Sequence, residues 1–305
     1  MNRLKSFALV RGGSFAMAAC VAMLGAAAAS AQSGAAKVPA AAAERSTTAT
    51  TKPPSATEVP RRRTVIIDAG HGGRDPGMTG MTSARRRLYE KDVVLAVAKQ
   101  VQARLEAAGV KVVMTRTADT LIALGDRGRI ANRENGDLFI SVHVNAANPK
   151  WKSPGATRGF ETYFLAEAKT EDERRVADME NEVSRFDDGG ERTSDSAVDF
   201  MFNDMLQNQH LRESSELASI MQAGLRGTHP GPSRGVKQAG FRVLVTAYMP
   251  AVLVEIGFGT NGPEADWMSS TAGQAEAGLA IADSALEYLA RFERRVSGGT
   301  SGPGK

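Results

Sequence analysis

Four side chains in this 305-residue chain stand where strands end or a helix begins, and their types suit metal-assisted hydrolysis. His71 follows the apolar run Thr64-Val-Ile-Ile-Asp68 through Ala69-Gly70, a turn that glycine permits. Glu90 opens a helical pattern. His143 and Asn145 close the run Leu138-Phe-Ile-Ser-Val142, and Glu255 closes Ala251-Val-Leu-Val254. Two imidazoles and a carboxylate, with a position left for water, form the donor set of a catalytic zinc site. Such an ion acidifies water and polarises a carbonyl, and a further Glu then moves the proton. The spacing is not that of a helical His-Glu-x-x-His pair. Taken singly, each residue also fits a plainer role. His71 suits a turn, His143 a strand end, and Glu90 a first-turn acid favoured by the helix dipole. Glu255 leans furthest toward function, because a carboxylate ending an apolar strand is costly to bury. Asp68 suits either a ligand-orienting acid or a turn cap, and Asn145 suits a substrate contact or support for a ligand.

The elements that must position these groups alternate along the chain. Helical spacing of Val94, Val97, Val101 and Leu105 predicts a helix over 91–109, ended by Gly109. Strands are predicted at 64–68, 110–115, 137–142, 160–164, 242–245 and 251–255. Further helices are expected at 214–224 and at 271–296, the last with Leu279, Ala282, Leu286 and Leu289 inward. This alternation predicts a three-layer α/β/α domain with a largely parallel sheet, whose sites form beyond the carboxyl ends of the strands.

Composition sets the wider bounds. The chain is 42% apolar and 24% charged with one cysteine, which excludes a disulfide scaffold, a wholly disordered chain and a multi-span membrane protein. The net charge of +4 is not a nucleic-acid signal. Arg3, Lys5 and Arg11 stand unopposed at the start, and Lys37, Arg45 and Lys52 outnumber Glu44 and Glu58 in the next stretch. Residues 61–305 are then formally neutral, which argues against nucleic acid as a partner. Residues 1–31 read as a signal peptide, with a basic start, the apolar run 14–29 and a small-x-small site at Ala29-Ser30-Ala31. The mature protein is then exported, to periplasm or cell wall, with no transmembrane segment. Cys20 lies inside the apolar run, where lipidation is the alternative. Residues 32–60 read as a disordered linker, 61–296 as one catalytic domain, and 297–305 as a flexible tail. His210 and His229 are expected at the surface or in loops, and Arg85-Arg86-Arg87 in a solvated loop.

Four segments in order, Thr64-Val-Ile-Ile-Asp-Ala-Gly-His-Gly-Gly-Arg-Asp-Pro-Gly77, Tyr89-Glu-Lys-Asp-Val93, Leu138-Phe-Ile-Ser-Val-His-Val-Asn145 and Leu253-Val-Glu-Ile-Gly-Phe-Gly-Thr-Asn261, carry a family resemblance. The chain resembles the zinc-dependent N-acetylmuramoyl-L-alanine amidases of the cell-wall hydrolase type. The resemblance implies one zinc ion held by His71, Glu90 and His143, with Glu255 as the catalytic carboxylate. It implies peptidoglycan as substrate, cut at the amide between the muramic acid lactyl group and L-Ala, in wall remodelling or daughter-cell separation. Two other readings are a zinc peptidase acting on the stem peptide and a catalytically silent wall-binding protein. Segment 166–213 is longer than a simple connection. Val176, Met179, Val183 and Phe186 have helical spacing, and Val198, Phe200, Met201, Phe202, Met205 and Leu206 cluster after them. Some members of the resembled family carry a helix here that covers the zinc until a partner protein displaces it. The resemblance therefore implies an autoinhibitory lid, with Glu180 or Glu182 reaching the metal; the alternative is an extra pair of packed helices.

Overall fold

Every residue of strand β1 (Thr64–Ala69) is buried, as a central strand of a parallel sheet requires. The computed structural model describes residues 62–186 and 197–299, with side chains for 62–186 and 210–297. Residues 1–31, read as a signal peptide and holding Cys20, the expected linker 32–60 and residues 300–305 of the expected tail lie outside the described residues, as do the side chains of Val198, Phe200, Met201, Phe202, Met205 and Leu206. After β1 comes a hairpin of β2 (Thr79–Met81) and β3 (Arg87–Tyr89), with Arg85 and Arg86 exposed at its turn. Helix α1 (Glu90–Ala107) leads to β4 (Lys111–Met114), α2 (Leu124–Arg133) and β5 (Leu138–Asn145). Strand β6 (Phe160–Leu165) precedes α3 (Glu171–Asn181), a 3-10 turn over Glu182–Phe186, and α4 (Ala197–Arg226). The chain then runs through β7 (Ser233–Ala239), a single turn α5 (Arg242–Val245), β8 (Ala251–Phe258), α6 (Gly262–Ser269) and α7 (Thr271–Gly299).

The sheet order is β4-β1-β5-β8-β6-β7. The first four strands are mutually parallel, β6 runs antiparallel to β8, and β7 is parallel to β6. Side-chain alternation sorts each central strand between two cores. Leu138, Ile140, Val142 and Val144 of β5 and Val252, Val254 and Ile256 of β8 face α1, α4 and α7. Phe139 of β5 and Ala251 and Leu253 of β8 face the opposite layer, which contains α2, α3 and α5. His143 continues the Phe139 series and Glu255 the Leu253 series, so both side chains lie on the α3 side. Burying each Val or Leu of these cores contributes about 1.5–3 kcal/mol.

Three expectations need correction. Arg242–Val245 is a helical turn, not a strand; β-branched content over four residues does not separate the two, and Asn181 Oδ1 accepts the Arg242 N–H at 2.8 Å. Leu279 is 46% exposed, because Ala277, Ile281, Ala282 and Ala285 define the inner face of α7. That helix also runs to Gly299, into the stretch expected to be a tail. Among the described residues no helix is long and apolar enough to cross a membrane.

Candidate metal centre

The turn after β1 is held from behind by two buried arginines. Arg116 donates to the carbonyls of Ala69 (2.9 Å) and Gly70 (2.8 Å), and Arg127 to those of Ala69 (2.9 Å) and His71 (3.0 Å). They hold His71 at φ +56°, a left-handed conformation that costs a residue with a Cβ and concentrates at functional sites. Gly70 has no side chain because the His143 imidazole occupies that space, and a Cβ at Gly77 would meet Glu90 and His71. The His71 Nδ1–H donates to Asp75 Oδ2 at 2.7 Å, which leaves Nε2 as the outward-facing donor atom. Glu90, the first residue of α1, is fixed by two backbone N–H groups, Met78 to Oε2 (2.7 Å) and Val144 to Oε1 (2.8 Å).

These placements bring His71, Glu90 and His143 together, and Glu180 of α3 joins them. His71 Nε2 lies 3.1 Å from Glu90 Oε1 and 3.0 Å from Glu180 Oε2. His143 Nδ1 lies 3.1 Å and 2.7 Å from the same two oxygens. A tetrahedral ion with bonds near 2.0 Å would have donors about 3.3 Å apart. Buried nitrogen and oxygen donors at this separation therefore fit a zinc-like divalent cation. The electrostatics agree. Burial opposes the charged form of His71, but Glu90 and Glu180 outweigh it and raise its pKa well above the ordinary value. The same competition, led by Glu180, lifts His143 to about 10. Glu90 and Glu180 shift downward against burial because of the two imidazoles. The pocket strongly favours positive charge at its centre.

Glu255 pairs with His143 across the β5–β8 ladder. Both its oxygens are buried, and neither makes a hydrogen bond among the described residues. Burial, reinforced by Glu180, raises its pKa well above the usual carboxylate value. It is a buried carboxyl group beside the donor cluster.

A family model described as N-acetylmuramoyl-L-alanine amidase matches residues 65–287. The chain belongs to the N-acetylmuramoyl-L-alanine amidase family. It is 32% identical over 237 residues to the amidase AmiA of Salmonella typhimurium, covering 77% of this chain and 78% of that one. It is 34% identical over 233 residues to AmiC of Neisseria meningitidis, covering 75% of this chain and 53% of the relative. Among solved structures, an N-acetylmuramoyl-L-alanine amidase from Clostridium difficile 630 superposes with a TM-score of 0.55 at 29% identity, covering 75% of this chain and 97% of that chain. AmiC2 of Nostoc punctiforme gives 0.55 at 28% identity, with 75% and 98% covered. This protein is thus a peptidoglycan amidase with a mixed, mostly parallel sheet.

Other candidate residues of the amidase take different places. Glu182 is exposed and pairs with Arg185 at 3.4 Å, so only Glu180 reaches the donor cluster. Among the described residues Asp68 hydrogen-bonds to no member of the cluster. It accepts from Arg127 (2.8 Å), Thr115 (2.6 Å) and Ser141 (2.6 Å), and so balances the arginine that grips the His71 turn. Burial opposes its ionisation, but Arg127 and the two hydroxyls hold its pKa below the ordinary value. Asn145 donates to Glu161 at 3.3 Å. His210 is half-buried on α4. His229 is not at the surface: it packs between the rings of Phe160 and Trp267 and accepts the Gly231 N–H at 2.8 Å. Sequence reasoning missed Asp75, Arg116, Arg127 and Glu161. Only Asp75 left a trace, four residues after His71.

Proposed function

We propose that this amidase is a zinc enzyme in which His71, Glu90 and His143 hold the ion and Glu255 moves the proton. The observation that carries the reading is the meeting of those three donors beside a buried carboxyl group that has no hydrogen-bond partner among the described residues. The chemistry such an ion supplies is Lewis acidity, which acidifies water and polarises an amide carbonyl. Glu255 accepts a proton from the attacking water and delivers it to the leaving L-Ala nitrogen, a task suited to a raised carboxyl pKa. Asp75 fixes the His71 tautomer, and Glu90 holds its position through the Met78 and Val144 amides. The test is product mass on purified peptidoglycan together with metal content. Intact stem peptides with a new L-Ala amino terminus support the reading; cuts within the stem peptide indicate a peptidase, and binding without cleavage a silent wall protein.

We further propose that α3 is an autoinhibitory lid. Glu180 fills the position beside both imidazoles that a substrate carbonyl and water require. A protein activator that lifts α3 would open the site. Action on the cell wall, with a leader-like 1–31, supports export to the periplasm or wall and a part in cell division. Deleting 170–208 tests the lid: turnover of sacculi rises if α3 covers the site, and an unchanged rate in folded protein rejects it.

A further inference from the structure

Glu161 of β6 stands opposite Glu255 of β8 in the antiparallel ladder, so the two side chains share a face. Glu161 is fully buried and accepts from Tyr163 Oη (2.5 Å) and Lys237 Nζ (2.8 Å), while Arg234 Nε pairs with its Oε1. One carboxylate thus meets two cations. Both cations reach beyond it to Asp172 in the first turn of α3. Lys237 Nζ lies 3.6 Å from Asp172 Oδ2, and Arg234 Nη2 lies 3.5 Å from it. Neither cation is sealed in; the side chains of Arg234 and Lys237 are 28% and 15% exposed with α3 in place. Were α3 lifted, Asp172 and its own partner Arg175 (3.0 Å) would leave together. Two cations against Glu161 would remain, one positive charge in excess, in the row that continues through Glu255 to His143.

Asp172 and Glu180 occupy one helix eight residues apart, about 12 Å along its axis. Glu180 sits at the reaction centre and Asp172 on the cation pair. We propose that Arg234 and Lys237 recognise a free carboxylate of the stem peptide, and that Asp172 occupies its place while the lid is closed. An extended peptide advances about 3.3 Å per residue, so a separation of about 12 Å reaches the end of a side chain on the third residue from the scissile amide. The substrate class is therefore an anionic stem peptide, and α3 imitates it with two acids at matching separation. This inference rests on the lid and active-site reading above.

The test compares two muramoyl peptides, one with a free side-chain carboxylate on the third residue and one with that group amidated. The full-length wild-type protein is expected to favour the acid by about tenfold in kcat/KM, expressed in KM, as loss of a charge-assisted hydrogen bond implies. Lys237→Gln brings the ratio near one, and Lys237→Arg retains it. A merely structural Lys237 would lower both rates together and leave the ratio unchanged, which overturns the proposal. Binding of the same two peptides to the Asp172→Asn, Glu180→Gln double variant, in which neither lid acid holds its site, decides the matter if neither is cleaved. Tighter binding of the acid upholds carboxylate recognition and shifts the failure to the catalytic reading, whereas equal affinities overturn it. Asp172→Asn should raise turnover of the acidic substrate several-fold, and a rate at or below wild type in the folded variant counts against substrate imitation.

Discussion

Glu255 and His143 are neighbours across the β5–β8 ladder, and of the two only the carboxylate lacks a hydrogen bond among the described residues. A buried acid left without a partner is expensive, and the proton transfer proposed for Glu255 would account for its retention beside the donor cluster. Glu255→Gln preserves shape and removes that capacity. Turnover is expected to fall by about 10²–10⁴-fold with zinc content unchanged, checked by muropeptide analysis and elemental analysis of one preparation. Loss of metal together with activity would place Glu255 among the ligands instead.

Asp75 acts on the centre through His71. Removing the acceptor of the Nδ1–H frees the ring to rotate and change tautomer. Asp75→Asn should weaken metal affinity about 10–100-fold, measured by competition with a chromophoric chelator. An unchanged affinity would mean that the arginine-held backbone alone fixes the ring.

Glu180 is the only α3 residue in the donor cluster. Glu180→Gln removes its charge and weakens its hold on both imidazoles, so kcat/KM on sacculi is expected to rise about tenfold or more. An equal or lower rate in a folded variant would show that α3 merely packs.

His229 provides a pH test away from the metal centre. Burial lowers its pKa to about 4, against an ordinary value of 6.5. Between those values the unfolded chain binds the proton and the folded one does not, so stability is full above pH 6.5 and declines as pH falls toward 4. The loss amounts to about 3 kcal/mol across that window. Urea melts from pH 7 to 4.5 should therefore be steeper in pH for wild type than for His229→Gln. Parallel profiles would refute a neutral buried imidazole.

The strands carrying His71, His143 and Glu255 were legible because buried parallel strands are written as continuous apolar runs. Strand β7 was not: Ser-Arg-Gly-Val-Lys-Gln-Ala is polar, and its half-buried edge position demands no apolar pattern. Glu161 occupies what reads as the wet side of an alternating strand, and the cations that pair with it, Arg234 and Lys237, come from β7, far along the chain. Asp75 was hidden in a turn-like Arg-Asp-Pro-Gly. Arg116 and Arg127 look like ordinary surface cations until the carbonyls of residues 69–71 give them a buried purpose. His229 reads as a surface-turn residue because nothing local reveals the Phe160 and Trp267 rings around it. Partners far apart along the chain leave little local signal.

The two amides gripping Glu90 also bear on how the centre survives stripping. They rivet the loop before β2 to the end of β5, so the socket is preassembled by the polypeptide itself. Chelation should then yield a folded apoprotein that reloads quickly and reversibly, rather than a chain that must refold around its ion.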